Sequence, residues 1–473
     1  MLWLDIDRSS GVTLTRQVYE ALRAKILSGE LRAGERLPST RESARTLGVS
    51  RNVVLGAYDQ LVAEGFVESR PGAGNFVAEG ALLGAPRKYA VPQAPSGIFL
   101  SKGTGEIIDF KSGIPALELF PRKKWAGLLY GACMDTDFSR FGYGEPEGAL
   151  RLRQVLGAYL FKTRGVYCEP GQIIVTTGAV QALALAARLL LEKGKLVAAE
   201  DPSNHDLQRI LTATGALLHP VPVDDKGILT ELLPEGAKLI YLTPSHQFPM
   251  GGILPIQRRI EIINYAREQK AFILEDDYDS EFRHEGLPVS SIQGLEPERV
   301  IYVGTFSKIM FPALRIGYMV LPRSLAKKCA LLKRRSDYHT PLADQLALAG
   351  FIESGLLERH VAKMRKLYGR RRKKLIECLE QHFHGRYRVE GEAAGIHLVV
   401  EFGFKPDSSF LRLLKGEGVR MYPVEVHAAL KGRNGSKFIM GYGGLSEEQL
   451  AEGVLRIKRA SDKYLCGKEI SLL

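Results

Sequence analysis

A chain of 473 residues with a formal net charge of +12 is too long for one hydrophobic core, so two or more domains are expected. Its composition, 45% apolar and 25% charged, is that of a globular protein, and its longest apolar runs, such as ALALAARLLL, fall short of the roughly 20 residues that cross a bilayer. MLWLDIDRSS at the start has no apolar h-region. The five cysteines (Cys133, Cys168, Cys329, Cys378 and Cys466) are scattered and lack CxxC spacing. A disulfide framework and a metal site are therefore not expected, and a cytoplasmic location without a membrane partner is.

Residues 13–78 carry a compact pattern. TLTRQVYEALRAKILSGEL places Leu14, Val18, Ala21, Leu22, Ile26 and Leu27 at helical spacing, and Gly29 stops it. A second, short helix is predicted from Ser39, an N-cap with Glu42 three residues on, to Gly48. A third runs from Ser50 as N-cap to Gly65. FVESRPGAGNFVA then reads as a hairpin with a Gly-rich turn. Helix, helix, turn, helix, hairpin is a winged helix-turn-helix. Such a fold presents the start of its third helix to the major groove, here Ser50, Arg51 and Asn52. Arg pairs with guanine and Asn with adenine, while Ser can touch a phosphate. Arg41, and Arg70 with Gly72 and Gly74 in the wing, are candidates for phosphate or minor-groove contact. The expected partner is a double-stranded DNA operator. Net charge does not carry this expectation. Residues 1–78 hold ten Lys and Arg against nine Asp and Glu, and the excess lies later, in KKCALLKRRSDY and KMRKLYGRRRKKL, runs with the spacing of solvated helix faces. LPSTRESARTLGVSRNVVLGAYDQLVAEGF resembles the helix-turn-helix of the GntR family of bacterial repressors, a likeness that covers residues 11–78.

Residues 79–107 are rich in Gly, Ala, Pro and Ser without a sustained period and read as a linker. Beyond them, strands alternate with helices. QIIVTTGAVQALALAARLLL is strand, turn, helix. KLIYLTP, AFILEDDY and RVIYVGT are short buried strands with polar residues at their C-terminal ends. A mostly parallel sheet with helices on both faces is predicted, its ligands at the carboxyl edge of the strands.

At that edge stands Lys308, in GTFSKIMFPALRIGY. Among small and apolar neighbours its ammonium is disfavoured, which makes the amine a nucleophile for aldehydes. Arg315 can clamp a phosphate through two parallel hydrogen bonds, and Thr305 and Ser307 add hydroxyls. An aldehyde plus a phosphate points to pyridoxal 5′-phosphate, and the rest of that cofactor has candidates too. Gly178, Ala179 and Val180 offer backbone N–H groups at a helix start for the phosphate. Asp276 offers a carboxylate for the ring nitrogen. Tyr278, two residues on and on the same side of an extended chain, suits the ring oxygen. His246 and Gln247, in TPSHQFPMGG, follow another strand end.

Residues 108–460 resemble the fold-type I aminotransferases, and the whole arrangement resembles the MocR subfamily of GntR regulators, to whose wording TPSHQFP, EDDYDSEF and YGEPEGALRLR are close. The resemblance implies a multidomain chain: a small α/β winged helix-turn-helix, residues 1–78, and a large α/β fold-type I aminotransferase-like effector domain, residues 108–473. It implies Lys308 as the Schiff-base lysine, Asp276 at the ring nitrogen, Tyr278 at the ring oxygen and Arg315 at the phosphate. It also implies Tyr143 reaching the phosphate across a head-to-tail homodimer. Two positions depart from the pattern. Where an aromatic ring usually stacks on the cofactor stands Asn204, followed by His205, which could stack instead. Where amino-acid-binding relatives place an arginine for the substrate carboxylate stands Ile439, with Arg420 or Arg209 as possible substitutes. The expected function is a transcription regulator sensing a small-molecule effector at the cofactor site. That effector is the cofactor itself, as in the vitamin B6 synthesis branch, or an amino acid or amine. The alternative is a working aminotransferase with an accessory domain.

Overall fold

The computed structural model describes residues 4, 6–81, 107–286 and 289–470, so most of the predicted linker lies outside the described residues. The chain divides into two compact units, Met1–Ser101 and Lys102–Leu473.

The first unit holds helices α1 (Leu14–Leu27), α2 (Thr40–Leu47) and α3 (Arg51–Ala63) and a hairpin of β1 (Val67–Arg70) with β2 (Gly74–Val77). Val18, Tyr19, Leu22 and Ile26 of α1 pack with Val54, Ala57, Tyr58 and Leu61 of α3 and with Val67 and Val77 of the hairpin. The period of 3.6 and the period of 2 thus meet in one core. Ser39 accepts the Glu42 N–H at 3.2 Å and starts α2. The buried Tyr58 hydroxyl lies 2.9 Å from Ser43 Oγ and donates to the Pro38 carbonyl at 3.0 Å, tying α3 across α2. Ser50 takes the N-cap position of α3, but its side chain makes no capping hydrogen bond, a correction to its expected role there.

The second unit is built on an eight-stranded sheet. After β3 (Ile108–Asp109) come β4 (Ile173–Thr176), β5 (Leu196–Asp201), β6 (Leu217–Asp224), β7 (Gly227–Ile228), β8 (Leu239–Leu242), β9 (Phe272–Asp277), β10 (Val300–Thr305) and β11 (Gly317–Val320). Their order across the sheet is β4-β11-β10-β9-β8-β5-β6-β7. β10, β9, β8, β5 and β6 run parallel; β11 runs against both β10 and β4. β4 therefore points the same way as the parallel set, and its carboxyl end joins theirs. Both faces are covered, so the inner strands β5, β8, β9 and β10 are buried on both sides. Leu274 and Ile301 pack beneath α6 (Ala179–Leu190), α7 (His205–Thr212) and α9 (Arg323–Asp337), while Ile273 and Val300 face α8 (Ile256–Glu268).

A third core joins α4 (Arg122–Met134), α5 (Leu150–Arg164), α10 (Leu342–Glu353) and α11 (Leu356–Phe383) to a smaller sheet. That sheet, ordered β12-β13-β16-β15, consists of β12 (Tyr387–Glu390), β13 (His397–Phe402), β15 (Tyr422–Pro423) and β16 (Lys437–Gly441), with α12 (Ser408–Gly416) and α13 (Glu447–Ile470) against it. β14 (Val419–Arg420) pairs with β3.

Candidate functional site

The carboxyl ends of β4, β5, β8, β9 and β10 converge on a cavity of about 240 Å³. Its wall contains Lys308, Asp276, Tyr278, Arg315, Thr305, Ser307, Ala179, Val180 and Asn204, nine of the residues expected from sequence. The local chain explains the convergence. β10 and β11 form an antiparallel pair in which Thr305 faces Gly317, so the connection between them returns Arg315 to the side of Thr305, Ser307 and Lys308. Arg315 adopts a left-handed conformation, φ +52°, which costs a side-chain-bearing residue on the order of 1 kcal/mol. This bend carries its guanidinium to Gly178.

Gly178 is the cap of α6 at φ +110°. A Cβ there would stand 2.9 Å from Arg315 Nη2, and a Cβ on Gly317 would stand 2.7 Å from the Gly178 carbonyl carbon. The two glycines thus let a backbone turn, a helix N-terminus and a guanidinium share one corner. Free N–H groups at a helix start beside an arginine form an anion site. Thr305 and Ser307 hydroxyls, 3.1 Å apart, stand at the same edge.

Asp276 closes the opposite end. Its Oδ2 accepts from the Tyr241 hydroxyl at 2.9 Å, while its buried Oδ1 has no hydrogen-bond partner among the described residues. Burial pushes this carboxyl up to about 7, against the opposing pull of Tyr241. A buried acceptor left unpaired is costly, and it is the acceptor that a protonated pyridine nitrogen would satisfy. Lys308 Nζ donates to the Gly113 carbonyl at 3.0 Å. Burial holds its pKa below the ordinary lysine value, although Asp279 and Asp276 pull the other way. Anion corner, lowered amine and unpaired carboxylate fit the phosphate, aldehyde and ring nitrogen of pyridoxal 5′-phosphate.

Asn204 apart, the remaining expected residues fall outside the cavity wall. His246 lies behind Tyr278, which donates to its carbonyl at 3.0 Å, and its Nδ1 is 3.1 Å from both Asp279 oxygens. Gln247 is spent on the Pro202 and Phe248 carbonyls, both at 2.8 Å. Asn204 caps α7 by accepting from Asp206 N–H at 2.9 Å. His205 is therefore the first residue of that helix; its N–H points to His427 Nδ1 at 3.4 Å, and its ring does not line the cavity. Tyr143 is 86% exposed and stacks on Tyr338, ring centroids 5.0 Å apart. Ile439 is buried among Met250, Val399 and Val424. Neither expected substitute lines the cavity: Arg420 pairs with Asp109 at 3.2 Å, and Arg209 is exposed on α7.

Tyr241, Asp279, His397 and Gly113 also line the cavity. Tyr241 sits inside an apolar strand, so only the parallel pairing of β8 with β9 reveals its hydroxyl beside Asp276. Beneath the site, Arg164 Nε donates to Asp277 Oδ2 at 2.7 Å and Nη2 to Ser245 Oγ at 2.6 Å, all buried. The Tyr302 hydroxyl donates to the same Asp277 oxygen at 2.5 Å.

On the first unit, Arg41, Ser50, Arg51, Asn52, Arg70 and Gly72 are all exposed. Arg51 and Asn52 open α3. Arg70 lies over the Phe76 ring, 4.5 Å from its centroid, at the end of a wing that turns through Gly72 at φ +77°.

Comparison with known proteins agrees with both units. Residues 105–457 match the family of aminotransferase class I and II, and residues 14–77 match the bacterial regulatory proteins of the gntR family. The chain is 36% identical over 474 residues to a probable rhizopine catabolism regulatory protein, MocR, of Rhizobium meliloti, covering 97% of this chain and 95% of that one. It is 30% identical over 439 residues to the HTH-type pyridoxine biosynthesis transcriptional regulator PdxR of Corynebacterium glutamicum, covering 93% and 94%. Among solved structures, a kynurenine aminotransferase of Pyrococcus horikoshii in complex with PMP superposes with a TM-score of 0.70 at 27% identity, over 76% of this chain and 92% of that one. The α-aminoadipate aminotransferase LysN of Thermus thermophilus, complexed with a phosphopyridoxyl-leucine, gives 0.70 at 25% identity, over 76% and 93%. With a gntR-family helix-turn-helix ahead of an aminotransferase class I and II domain that has the fold for pyridoxal phosphate, the chain belongs to the MocR/GntR type of transcriptional regulators.

Proposed function

We propose that residues 1–78 bind operator DNA and that the cavity at Lys308 is where the signal is read. The protein would work as a homodimer in the bacterial cytoplasm. The observation that carries this is the joint presence of an exposed α3 start, with Arg51 and Asn52, and a cavity whose Asp276, Lys308 and Arg315 stand ready for one cofactor. When bound, pyridoxal 5′-phosphate supplies an aldehyde reactive toward primary amines. The chain's own residues do the rest. Arg315, Thr305, Ser307 and the N–H groups from Gly178 to Val180 would hold the phosphate. Asp276 would hold a proton on the ring nitrogen, supported by Tyr241. Lys308, whose charged form burial disfavours, supplies the amine. Tyr278 would meet the ring oxygen, and in a homodimer Tyr143 would reach the phosphate of the partner's site.

The effector in this proposal is the cofactor itself, as the pyridoxine-linked relative favours, or an amine read beside it. Coupling requires that the effector bind the DNA-competent and incompetent arrangements with different affinity. The test is a gel shift with the chain's own upstream region, with and without pyridoxal phosphate. Cofactor-altered binding supports the proposal; absence of DNA binding under every condition favours the second reading, a working aminotransferase. That reading draws on the same Lys308, Asp276 and Tyr278 set.

A further inference from the structure

Two carboxylates and two cations line the cavity, and each is engaged. Arg315 belongs to the anion corner at Gly178. Lys308 is the reactive amine. Asp276 has Tyr241 on one oxygen and the ring-nitrogen position on the other. Asp279 faces His246, both its oxygens 3.1 Å from Nδ1. No further Lys or Arg lines the cavity among the described residues. The place where a carboxylate-binding cation was sought, Ile439, is filled by an apolar cluster with Met250, Val399 and Val424.

Of the wall's other polar residues, Ser112, Asn204, Tyr241, Thr243, Tyr278, Thr305, Ser307 and His397, His397 stands at the start of β13 and is 1% exposed. Its Nε2 lies 3.1 Å from the Pro249 carbonyl, which can only accept, so Nε2 carries the proton. Burial and the neighbouring His246 push the ring down to about 3, so it is neutral at physiological pH. Nδ1 of a neutral ring so protonated is an acceptor, and among the described residues no hydrogen bond to it is found. An acceptor calls for a donor. A carboxylate would meet this lone pair and Asp279 with no counter-charge, an arrangement that disfavours the wrong ligand strongly.

We infer that the second ligand of this cavity is a primary amine bearing a hydroxyl and no carboxylate, its hydroxyl donated to His397. The inference rests on the cofactor-site reading above and narrows it. An amino alcohol gives His397 a donor, whereas an amino acid leaves its carboxylate without a cation of the wall to pair with.

The test uses the full-length protein loaded with pyridoxal 5′-phosphate and matched ligands of equal chain length. These are 4-amino-1-butanol against 4-aminobutyrate, and 3-amino-1-propanol against β-alanine, with n-butylamine as the arm lacking a hydroxyl. The readout is the shift of the visible absorption band during titration. Each amino alcohol is expected to bind about tenfold or more tightly than its amino acid, and 4-amino-1-butanol more tightly than n-butylamine. Equal or tighter binding of the amino acids overturns the inference, as does n-butylamine matching the alcohol. A band that answers to no amine also overturns it and leaves the cofactor as the signal. If no visible band forms on adding pyridoxal phosphate, the cofactor-site reading itself fails, and this inference falls with it.

Discussion

At residue scale, the central feature is a carboxyl kept partly unsatisfied. Asp276 is buried with Oδ1 unpaired and its pKa raised to about 7. An unfolded aspartate titrates near 3.9. The raised folded value means that ionised Asp276 destabilises the cofactor-free protein. This penalty is absent below about pH 4, grows as pH rises to about 7 and is constant above, reaching at most about 4 kcal/mol. Asp276→Asn should therefore raise the melting temperature of the cofactor-free protein relative to wild type. The gap should widen from pH 4 to 7, while affinity for pyridoxal phosphate falls. A gap that shrinks over that range would contradict this account. Lys308→Ala should abolish the visible band of the loaded protein; a variant that stays yellow with the same band would remove the role given to that amine. The same logic separates Lys308 from Arg315. One is useful because burial disfavours its charge; the other sits at the cavity rim, where its charge can meet an anion.

At the scale of elements, the site depends on how strand ends are fastened. Arg164 closes α5 and bonds Asp277 of β9, Ser245 beyond β8 and the Val289 carbonyl. Removing one partner of a buried ion pair leaves the other charge uncompensated, at a cost of about 3–5 kcal/mol. Arg164→Met should lower the free energy of unfolding by that much, measured by denaturant titration, whereas an exposed pair such as Arg151 with Glu353 should contribute less than about 1 kcal/mol. The turn from β4 into α6 gives a second case. Gly178→Ala meets both a left-handed backbone and the Arg315 guanidinium. It should destabilise by about 1 kcal/mol or more and weaken pyridoxal phosphate binding in a fluorescence titration. Unchanged affinity would remove this turn from the phosphate corner.

At the scale of the whole molecule, two compact units match two families, and their proposed activities should separate. Arg51→Ala with Asn52→Ala should weaken operator binding and flatten its salt dependence, with the cofactor's visible band unchanged. Loss of the band in that double variant would show that α3 also supports the cavity. The charge distribution agrees with this division, since the excess of basic residues lies outside residues 1–78. On the proposed reading, DNA affinity of the first unit would come from placed side chains more than from net charge.

Much was legible in the linear chain because its signals are local. Helix periods, Ser39 as a start and Gly48 as a stop, and polar residues closing short apolar strands all follow from near neighbours. The placing of Gly178, Asp276 and Lys308 at or just beyond the ends of β4, β9 and β10 is local in the same sense, because parallel strands bring their carboxyl ends to one edge. What only the tertiary structure decided involves partners far apart in sequence. Tyr241 reaches Asp276 through strand pairing, and His397 and Asp279 enter the cavity from different sheets. His205 is kept from the cavity wall because Asn204 starts a helix there. These outcomes depend on register and packing across the core, which no short window of residues encodes.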